Sequence, residues 1–339
     1  MNKKNISLSI IGILFLLVIF LHEKQPIEAQ LYKGSVMGTT YSITVHSEVN
    51  AQDIFFEATD IIDLVNQEMS TYLEDSLISK INKTEIGEWI KVSEDFLNVL
   101  VYASDLCTKS DGIYDVSIRK LVNIWGFGPE LIEESPSNEQ LEYLSSQIGC
   151  DSTQIDIKSS SVKRNRDIAL DFSSIAKGFA IDKVFEFLMK QEQFKGFFIE
   201  LGGEIRSTKY KSNQQPWKAG VINPMEPQKI IHTFLSNDYE SFAMATSGDY
   251  MNVRIYEGQE KSHTINPKSG LPSSYSKKSI TVISDSGMKA DALATTLNVM
   301  PLDRAIQYAN TNRIMALFVM ETVDGQRLLF SDQLEKVKI

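Results

Sequence analysis

The sequence has only two cysteines and four histidines among its 339 residues. It contains no C-x-x-C pair and no H-E-x-x-H motif, so the residue patterns of zinc sites are missing. It also lacks a G-x-G-x-x-G that opens a helix and a G-x-x-x-x-G-K-[ST], which leaves Rossmann-type and P-loop nucleotide sites unsupported. Basic residues are scattered and the formal net charge is −10, so we expect no nucleic-acid partner.

The two cysteines leave two interpretations open. Cys107 lies in an apolar helical stretch, and Cys150 follows a predicted helix end at Gly149. Both residues suit a buried position as small apolar side chains. A disulfide is allowed in an oxidising compartment, but the sequence does not establish one.

The N-terminus has the pattern of an export signal. Lys3 and Lys4 precede an apolar run over residues 6–21, which is slightly short for a bilayer span. No clear small-x-small cleavage triplet follows, so residues 1–30 are predicted to be either a signal peptide or an N-terminal membrane anchor. No cysteine follows the run, which argues against a lipoprotein anchor. We expect residues 31–339 to form one functional domain in the bacterial periplasm, with membrane contact through residues 6–21.

The order of apolar patterns favours an α+β fold. Helical spacing or N-cap residues predict helices over 54–69, after Ser93, after Ser137, over 174–190 and over 287–299. Strand patterns occur at 39–46, 168–172, 197–201, 217–222, 242–245, 251–256, 279–284 and 314–320, with a hairpin turn at Asp324-Gly325. Adjacent hairpin-like strands mixed with helices predict largely antiparallel, mixed sheets with packed helices, not a doubly wound parallel sheet.

A late helix carries two oxygen ligands on one face. Asp291 and Thr295 are four residues apart among good helix formers, so their side chains point the same way. A carboxylate and a hydroxyl are hard oxygen donors, which suit Mg²⁺ better than a soft metal.

An apolar run leads into a second helix start at residues 169–178, where Lys177 falls in the first turn. Free N–H groups and the positive end of the helix dipole already favour an anion there, and a lysine adds to that preference. We expect a phosphate or carboxylate ligand at Lys177, or else a solvated lysine or an internal ion pair.

Other glycine-punctuated segments offer further candidate groups. The paired glycines of Glu200–Glu204 permit positive φ and close approach to a ligand. The turn His263–Gly270 contains a histidine, which transfers protons near neutral pH. Asp111–Asp115, Trp125–Gly128 and Tyr72 place aromatic rings where they could pack on a flat ligand or in the core.

Taken in order, these segments resemble the FAD:protein FMN transferase family, also called ApbE-like proteins. The resemblance covers roughly residues 35–318. It is carried by Met37–Tyr41, Met69–Tyr72, Asp111–Asp115, Trp125–Gly128, Asp171–Gly178, Glu200–Gly203, Thr246–Asp249, His263–Pro267 and Ala290–Thr295.

The resemblance implies an ApbE-like fold and a Mg²⁺-dependent activity. Enzymes of this family split FAD and attach FMN to a Thr or Ser hydroxyl of an acceptor protein, commonly a membrane redox subunit, with release of AMP. It implies His263 as the base, with Asp291 in catalysis and in metal binding together with Thr295 and the main chain at Ser174. It implies FAD contacts from Met37, Tyr72, Leu73, Asp115, Lys177 and a strand at Thr264–Ile265. Ser173 and Ser174 stand where many relatives have glycines, and Ser117 where threonine is frequent.

Three other functions fit parts of the sequence. A metal-dependent FAD pyrophosphatase would hand FMN to water, and a flavin carrier would only bind it; both need the same pocket. A penicillin-binding-type serine enzyme would use Ser174-x-x-Lys177 with Lys268-Ser269-Gly270. That alternative lacks an S-D-N motif and leaves the Asp291 and Thr295 pair without a role.

Overall fold

The computed structural model describes residues 27–129, 132, 135–248, 253–256, 258–273, 279–322 and 325–337. Of the predicted signal or anchor over residues 1–30, only residues 27–30 are therefore described. Asp249, residues 251–252 and Asp324, which belong to other predicted segments, also lie outside the described residues. No helix of the described segments is long and apolar enough to cross a bilayer.

The helices follow the predicted starts closely. They are α1 (Gln52–Met69), α2 (Leu77–Lys83), α3 (Glu94–Lys109), α4 (Arg119–Ile124), α5 (Asn138–Gln147), α6 (Ala176–Met189), α7 (Gly287–Val299), α8 (Leu302–Thr311) and α9 (Asp332–Glu335). Ser93 caps α3 by accepting from the Phe96 N–H, and Ser137 and Gln140 form the predicted capping box of α5.

The strands form one large sheet and three small ones. They are β1 (Glu28–Val36), β2 (Thr39–Ser47), β3 (Ile90–Lys91), β4 (Thr153–Asp156), β5 (Ser161–Arg164), β6 (Phe194–Leu201), β7 (Glu204–Ser207), β8 (Lys218–Ile222), β9 (Ile230–Leu235), β10 (Phe242–Gly248), β11 (Val253–Tyr256), β12 (Gln259–Ser262), β13 (Ser279–Ser284), β14 (Met315–Thr322) and β15 (Gly325–Phe330).

Every pair in the large sheet is antiparallel, which confirms the predicted α+β fold class. The strand order is β1-β2-β6-β7-β10-β13-β14-β15. The small sheets are β3-β5-β4, β8-β9 and β11-β12. Strands β14 and β15 form the hairpin that was predicted at residues 324–325, with Thr322 opposite Gly325.

Both faces of the sheet are buried, which explains the continuous apolar runs in its central strands. Along β13, Val282 packs beneath α7 and α8, whereas its neighbour Ile283 packs on the opposite face with β8 and β9. In β14, Phe318 and Leu317 divide in the same way. The helical layer therefore lies on one face, with α6 and α7 in contact with each other and with the sheet.

The predicted strand at 168–172 is wrong. Only an isolated bridge between Ile118 and Ala169 forms there. The side chain of Asn82 takes the place of a neighbouring strand, since it accepts from the Leu170 N–H at 2.6 Å and donates to the Leu170 carbonyl at 2.9 Å. The apolar run is buried, and its backbone bonds both to this side-chain amide and to the segment 116–119, because the Arg119 N–H donates to the Ala169 carbonyl and the Asp171 N–H donates to the Val116 carbonyl.

Cys107 and Cys150 form a disulfide. It links the end of α3 to the turn after α5, so the pairing that the sequence left open is present. The carboxylate of Asp115 lies next to the Cys107 sulfur, but disulfide sulfurs offer no thiolate, so this grouping is not a metal site.

Candidate functional site

The site is built where α6 and α7 cross with their backbones in contact. A Cβ added to Gly178 would lie 2.2 Å from the Gly287 carbonyl oxygen, and one added to Gly287 would lie 2.6 Å from the Gly178 carbonyl oxygen. Glycine at both positions is therefore what permits this close approach. The crossing brings the N-terminus of α6 against the first turns of α7.

Asp291 projects from α7 onto the start of α6. Its Oδ2 accepts the Gly178 N–H at 3.0 Å, so the carboxylate satisfies one of the free donors at that helix end. The side chain is buried, and burial raises the pKa of Asp291 above its ordinary value although the Lys177 charge opposes that rise. The predicted catalytic and metal-binding carboxylate thus lies beside the predicted anion-binding lysine.

Lys177 lies between two carboxylates. Its Nζ donates to Glu204 Oε1 at 2.8 Å and lies 3.8 Å from Asp291 Oδ2. Burial alone would lower the pKa of Lys177, but the two carboxyl groups more than offset it, so the pKa is raised. Burial raises the pKa of Glu204 to about 8, against the opposing effect of the lysine. An internal carboxyl partner of Lys177, as one of the expectations for this lysine required, is therefore present.

Ser174 lies two residues before α6, and Thr295 lies on α7. Gly178 donates its N–H to Asp291, and no backbone N–H of the described residues bonds to the carbonyl oxygen of Ser174. That oxygen therefore stays available as a ligand. Thr295 is half-buried one turn along α7 from Asp291. These three oxygen donors have the hard chemistry that Mg²⁺ requires, and the set contains no soft ligand.

Two tight turns border the lysine. Met37 and Gly38 connect β1 to β2 with φ values of 51° and 72°, as in a type I′ hairpin. Strand β2 pairs with β6, so the next turn, at Gly202 and Gly203, lies beside it. A Cβ at Gly202 would lie 3.3 Å from the Lys177 Cδ. The predicted flavin contact Met37 therefore belongs to the same end of the sheet as Lys177.

Tyr72 and His263 are connected through Phe127. The Tyr72 hydroxyl donates to the Phe127 carbonyl at 3.2 Å, and the Phe127 and His263 rings lie edge to face at 6.4 Å. Tyr72 remains 60% exposed although the Arg119 guanidinium lies over its ring at 5.3 Å. An exposed ring held at both its hydroxyl and its face is suited to pack on a flat ligand.

The turn after His263 is tied to the far end of α7. Thr264 is buried, and the Asn298 amide approaches its hydroxyl at 3.4 Å. On a helix, residues 291, 295 and 298 fall on one face, so this face of α7 runs from the lysine to the His263 turn. The predicted strand at Thr264–Ile265 is wrong in detail: β12 ends at Ser262, and Ile265 forms only an isolated bridge to Pro272.

Two predicted flavin contacts have other neighbours. Asp115 is buried; its carboxylate accepts both the N–H and the hydroxyl of Ser117, at 2.8 and 2.7 Å. Burial raises the pKa of Asp115, and the bonds from Ser117 oppose that rise. Leu73 is half-buried in the turn between α1 and α2. Their contact with a flavin stays a prediction, as do the assigned roles of the other site residues.

Sequence reasoning gave no role to three charged groups that organise the site. Glu204 was noted only as the end of a glycine pair. Arg119 forms a buried ion pair with Asp171 at 2.9 Å and supports Tyr72. Asp182 caps α7 by accepting the Gly287 N–H at 2.7 Å. The available signals were a carboxylate directly after two glycines, and another on the helix that carries Lys177 in its first turn.

The Ser174 and Lys177 side chains are directed to different partners. Ser174 donates its hydroxyl to Tyr114 at 3.1 Å, while Lys177 donates to Glu204. A serine nucleophile activated by this lysine would need the two side chains to bond to each other. The arrangement gives no support to the penicillin-binding-type alternative.

Comparison with known proteins identifies the family. The ApbE family model matches residues 37–318. The FAD:protein FMN transferase of Haemophilus influenzae is 36% identical over 309 residues, covering 86% of each chain, and that of Vibrio cholerae is 34% identical over 307 residues, covering 89% of this chain and 90% of its own.

Solved structures give the same answer. A mutant of the flavin transferase ApbE from Vibrio cholerae superposes with a TM-score of 0.81 at 31% identity, covering 91% of this chain and 99% of its own. The ApbE protein of Thermotoga maritima gives a TM-score of 0.82 at 25% identity, covering 92% of this chain and 100% of its own. Sequence and fold agree over nearly the whole described chain, and this protein belongs to the ApbE family of transferases.

Proposed function

We propose that this protein is an FAD:protein FMN transferase that uses Mg²⁺. It binds FAD, transfers the FMN part to a Thr or Ser hydroxyl of an acceptor protein and releases AMP. The observation that carries the proposal is the pairing of Asp291 and Lys177 at the α6–α7 crossing, with Nζ and Oδ2 3.8 Å apart. The carboxylate can bind a cation and the lysine can bind an anion. Cleavage of a diphosphate needs both, because charge develops on the phosphate oxygens. The names of the relatives support the transfer of FMN from FAD to a protein.

The reaction exchanges one phosphorus–oxygen bond for another. The acceptor hydroxyl oxygen bonds to the FMN phosphorus, and the bond from that phosphorus to the oxygen that leaves with AMP breaks. The hydroxyl proton passes to a base, for which His263 is our candidate. A bound Mg²⁺ would offset the charge that develops on the phosphate oxygens, and Asp291, Thr295 and the Ser174 carbonyl would hold it.

The chain's own residues bind and orient the substrate. Lys177, in the first turn of α6, would offer its positive charge to the diphosphate together with the N-terminus of that helix. Tyr72 offers its exposed ring to the isoalloxazine, with Met37 and the Thr264–Ile265 turn as further contacts. Phe127 contacts both the Tyr72 hydroxyl and the His263 ring, which places the candidate flavin contact near the candidate base.

We also propose an exported location. The lysines and the apolar run in residues 1–30 support delivery to the periplasm, either as a cleaved signal or as an anchor at residues 6–21. The acceptor would then be a periplasm-facing subunit of a membrane redox enzyme. Fractionation of cells that express the full chain tests the location, and a cytoplasmic protein would refute it.

The decisive experiment mixes the purified protein with FAD, Mg²⁺ and a periplasm-facing redox subunit from the same organism. We expect in-gel flavin fluorescence on the subunit, an equal amount of AMP by chromatography, and loss of both signals with EDTA. FMN and AMP without a labelled subunit would identify a pyrophosphatase instead. FAD binding without AMP would identify a carrier.

Two variants connect the reaction to the site. Asp291→Ala should abolish metal-dependent turnover, whereas Asp285→Ala should leave it unchanged, because Asp285 is exposed and pairs only with Lys289 and Ser284 among the described residues. His263→Ala should slow transfer far more than it weakens FAD binding. Full activity of Asp291→Ala in Mg²⁺ would exclude our metal assignment.

A further inference from the structure

Glu204 is a buried carboxyl group that the proposed reaction does not use. It begins β7 directly after the Gly202-Gly203 turn and is 3% exposed. Its Oε1 accepts from Lys177, but its buried Oε2 has no hydrogen-bond partner among the described residues. An unsatisfied buried oxygen costs free energy, so a specific role for this carboxyl group is expected.

The distances around Lys177 show which carboxylate holds it. At 2.8 Å, the contact with Glu204 is a hydrogen bond, whereas the 3.8 Å to Asp291 is too long for one. Asp291 Oδ2 instead accepts the Gly178 N–H. The ammonium group is therefore bonded to Glu204 and only near Asp291.

The stem of Lys177 packs against the turn at Gly202. It passes the Gly202 backbone, where an added Cβ would lie 3.3 Å from the Lys177 Cδ and 2.8 Å from the Thr39 side chain. From this position the ammonium group lies near two carboxyl groups, those of Glu204 and Asp291. If one of these carboxyl groups no longer accepts a hydrogen bond from Lys177, the other remains as an acceptor.

An ammonium bonded to Asp291 would compete with a divalent cation for the same oxygen. A lysine carries three donors and bonds readily to any carboxylate within reach. A cation would then have to displace the lysine before it could bind. The position of Glu204 removes that competition.

We propose that Glu204 is a positioning residue: by accepting the hydrogen bond from Lys177, it keeps Asp291 open to a divalent cation. This inference rests on the proposed function, because it assumes that Asp291 is a cation ligand. Glu204 itself contacts neither the cation nor the substrate in this account.

The test measures Mg²⁺ binding by calorimetry to the purified protein without FAD, so it does not depend on turnover. Glu204→Met removes the acceptor, and we expect Mg²⁺ affinity at least tenfold weaker than that of the wild type. Glu204→Gln keeps an oxygen that can accept from Lys177, and it should recover most of the lost affinity. Equal losses in both variants would contradict a role through this hydrogen bond.

A double-mutant cycle shows whether the effect passes through Lys177. In a Lys177→Met background no ammonium competes for Asp291, so adding Glu204→Met should change Mg²⁺ affinity by less than twofold. Two apolar residues replace the buried pair in that double variant, a change that buried ion pairs often tolerate. If Glu204→Met lowered Mg²⁺ affinity tenfold in both the wild-type and the Lys177→Met background, the inference would be overturned.

Glu200→Met is the matched control. Glu200 lies at the end of β6, just before the same turn, and accepts the Gly203 N–H at 2.8 Å; its bonds among the described residues do not include Lys177. It should bind Mg²⁺ within twofold of the wild type, and a tenfold loss would mean that the turn, not the lysine, sets the affinity.

The outcomes separate this inference from the proposed function. FMN transfer by the wild type with unchanged Mg²⁺ affinity in Glu204→Met would overturn the inference alone. The expected affinity changes without FMN transfer would overturn the proposed function alone. A wild type that binds no Mg²⁺ would overturn both.

Discussion

Asp182 and Asp291 each cap the helix to which the other belongs. Asp182, on α6, accepts the N–H groups of Gly287 and Met288 at the start of α7, at 2.7 and 3.0 Å. Asp291, on α7, accepts the Gly178 N–H at the start of α6 at 3.0 Å. Carboxylates at helix N-termini satisfy free donors and interact favourably with the helix dipole. The two helices therefore fix each other's position, and with it the position of Asp291.

Asp182→Asn should destabilise the fold by about 2–4 kcal/mol, because it weakens the cap of α7 and breaks a buried ion pair with Arg206. Urea denaturation gives the free energy of unfolding. The control Asp285→Asn changes an exposed acid just before α7 and should cost under about 0.5 kcal/mol. Equal effects from the two substitutions would show that the cap is not what holds α7.

Gly178→Ala tests the close crossing of the two helices. The added Cβ would lie 2.2 Å from the Gly287 carbonyl oxygen, so the helices must separate. We expect the free energy of unfolding to fall by at least about 1–3 kcal/mol. Gly203→Ala is a suitable comparison, since its Cβ meets nothing within 4 Å and only its φ of 102° is strained. If denaturation curves showed that Gly203→Ala destabilises the fold more than Gly178→Ala, they would contradict the close crossing of α6 and α7.

Local patterns predicted the parts of the site that one helix or one turn defines. Asp291 and Thr295 share a face of α7 because their spacing requires it, and Ser93 caps α3 as its sequence indicates. The bond of Lys177 to Glu204 joins residues 27 apart, and that of Asp182 to Gly287 joins residues 105 apart. Such contacts depend on how elements pack, which a single sequence does not encode in any local spacing.

The wrong strand at 168–172 has the same origin. The apolar run is correctly recognised as buried, but its backbone bonds to the side chain of Asn82, 88 residues away, and to the segment 116–119, and not to another strand. Likewise, the burial of Cys107 was predictable from its helix, whereas its disulfide with Cys150 follows from the packing of α3 against the turn after α5.

Tyr72→Ala should weaken FAD binding by about 1–3 kcal/mol, by analogy with the stacking of bases on aromatic side chains. Tyr72→Phe keeps the ring and loses only the hydrogen bond to the Phe127 carbonyl, so we expect a smaller loss. Quenching of flavin fluorescence in the presence of EDTA measures affinity without turnover. Unchanged affinity in Tyr72→Ala would place the isoalloxazine elsewhere.

The disulfide should contribute to stability through the long loop that it closes. Cys107 and Cys150 are separated by 43 residues, for which the loop-entropy model gives roughly 4 kcal/mol at 25 °C. Denaturation in dithiothreitol should therefore require less urea than under oxidising conditions. The control is the Cys107→Ser, Cys150→Ser double variant, which should unfold at the lower urea concentration with or without the reductant. The prediction would be contradicted if dithiothreitol left the urea concentration for unfolding of the wild type unchanged although titration showed both cysteines as free thiols.

Glu204 should make stability fall as pH rises from about 5 to about 8. Burial raises its pKa from an ordinary 4.5 to about 8, so over this interval the folded protein keeps a proton that the unfolded chain has released. A group with a raised folded-state pKa stabilises the fold fully below its unfolded pKa, and that stabilisation is lost as pH rises through the folded value. One such proton changes the free energy of unfolding by about 1.4 kcal/mol per pH unit at most.

Glu204→Gln isolates this effect, because its amide does not titrate while the other ionisable groups remain. We expect urea denaturation in EDTA at pH 5, 6, 7 and 8 to show a steeper decline for the wild type than for Glu204→Gln. Above pH 8 the two curves should run parallel, since Glu204 is then ionised in both the folded and the unfolded chain. Parallel curves between pH 5 and 8 would mean that Glu204 is already ionised in the fold, with the Lys177 charge outweighing the cost of its burial.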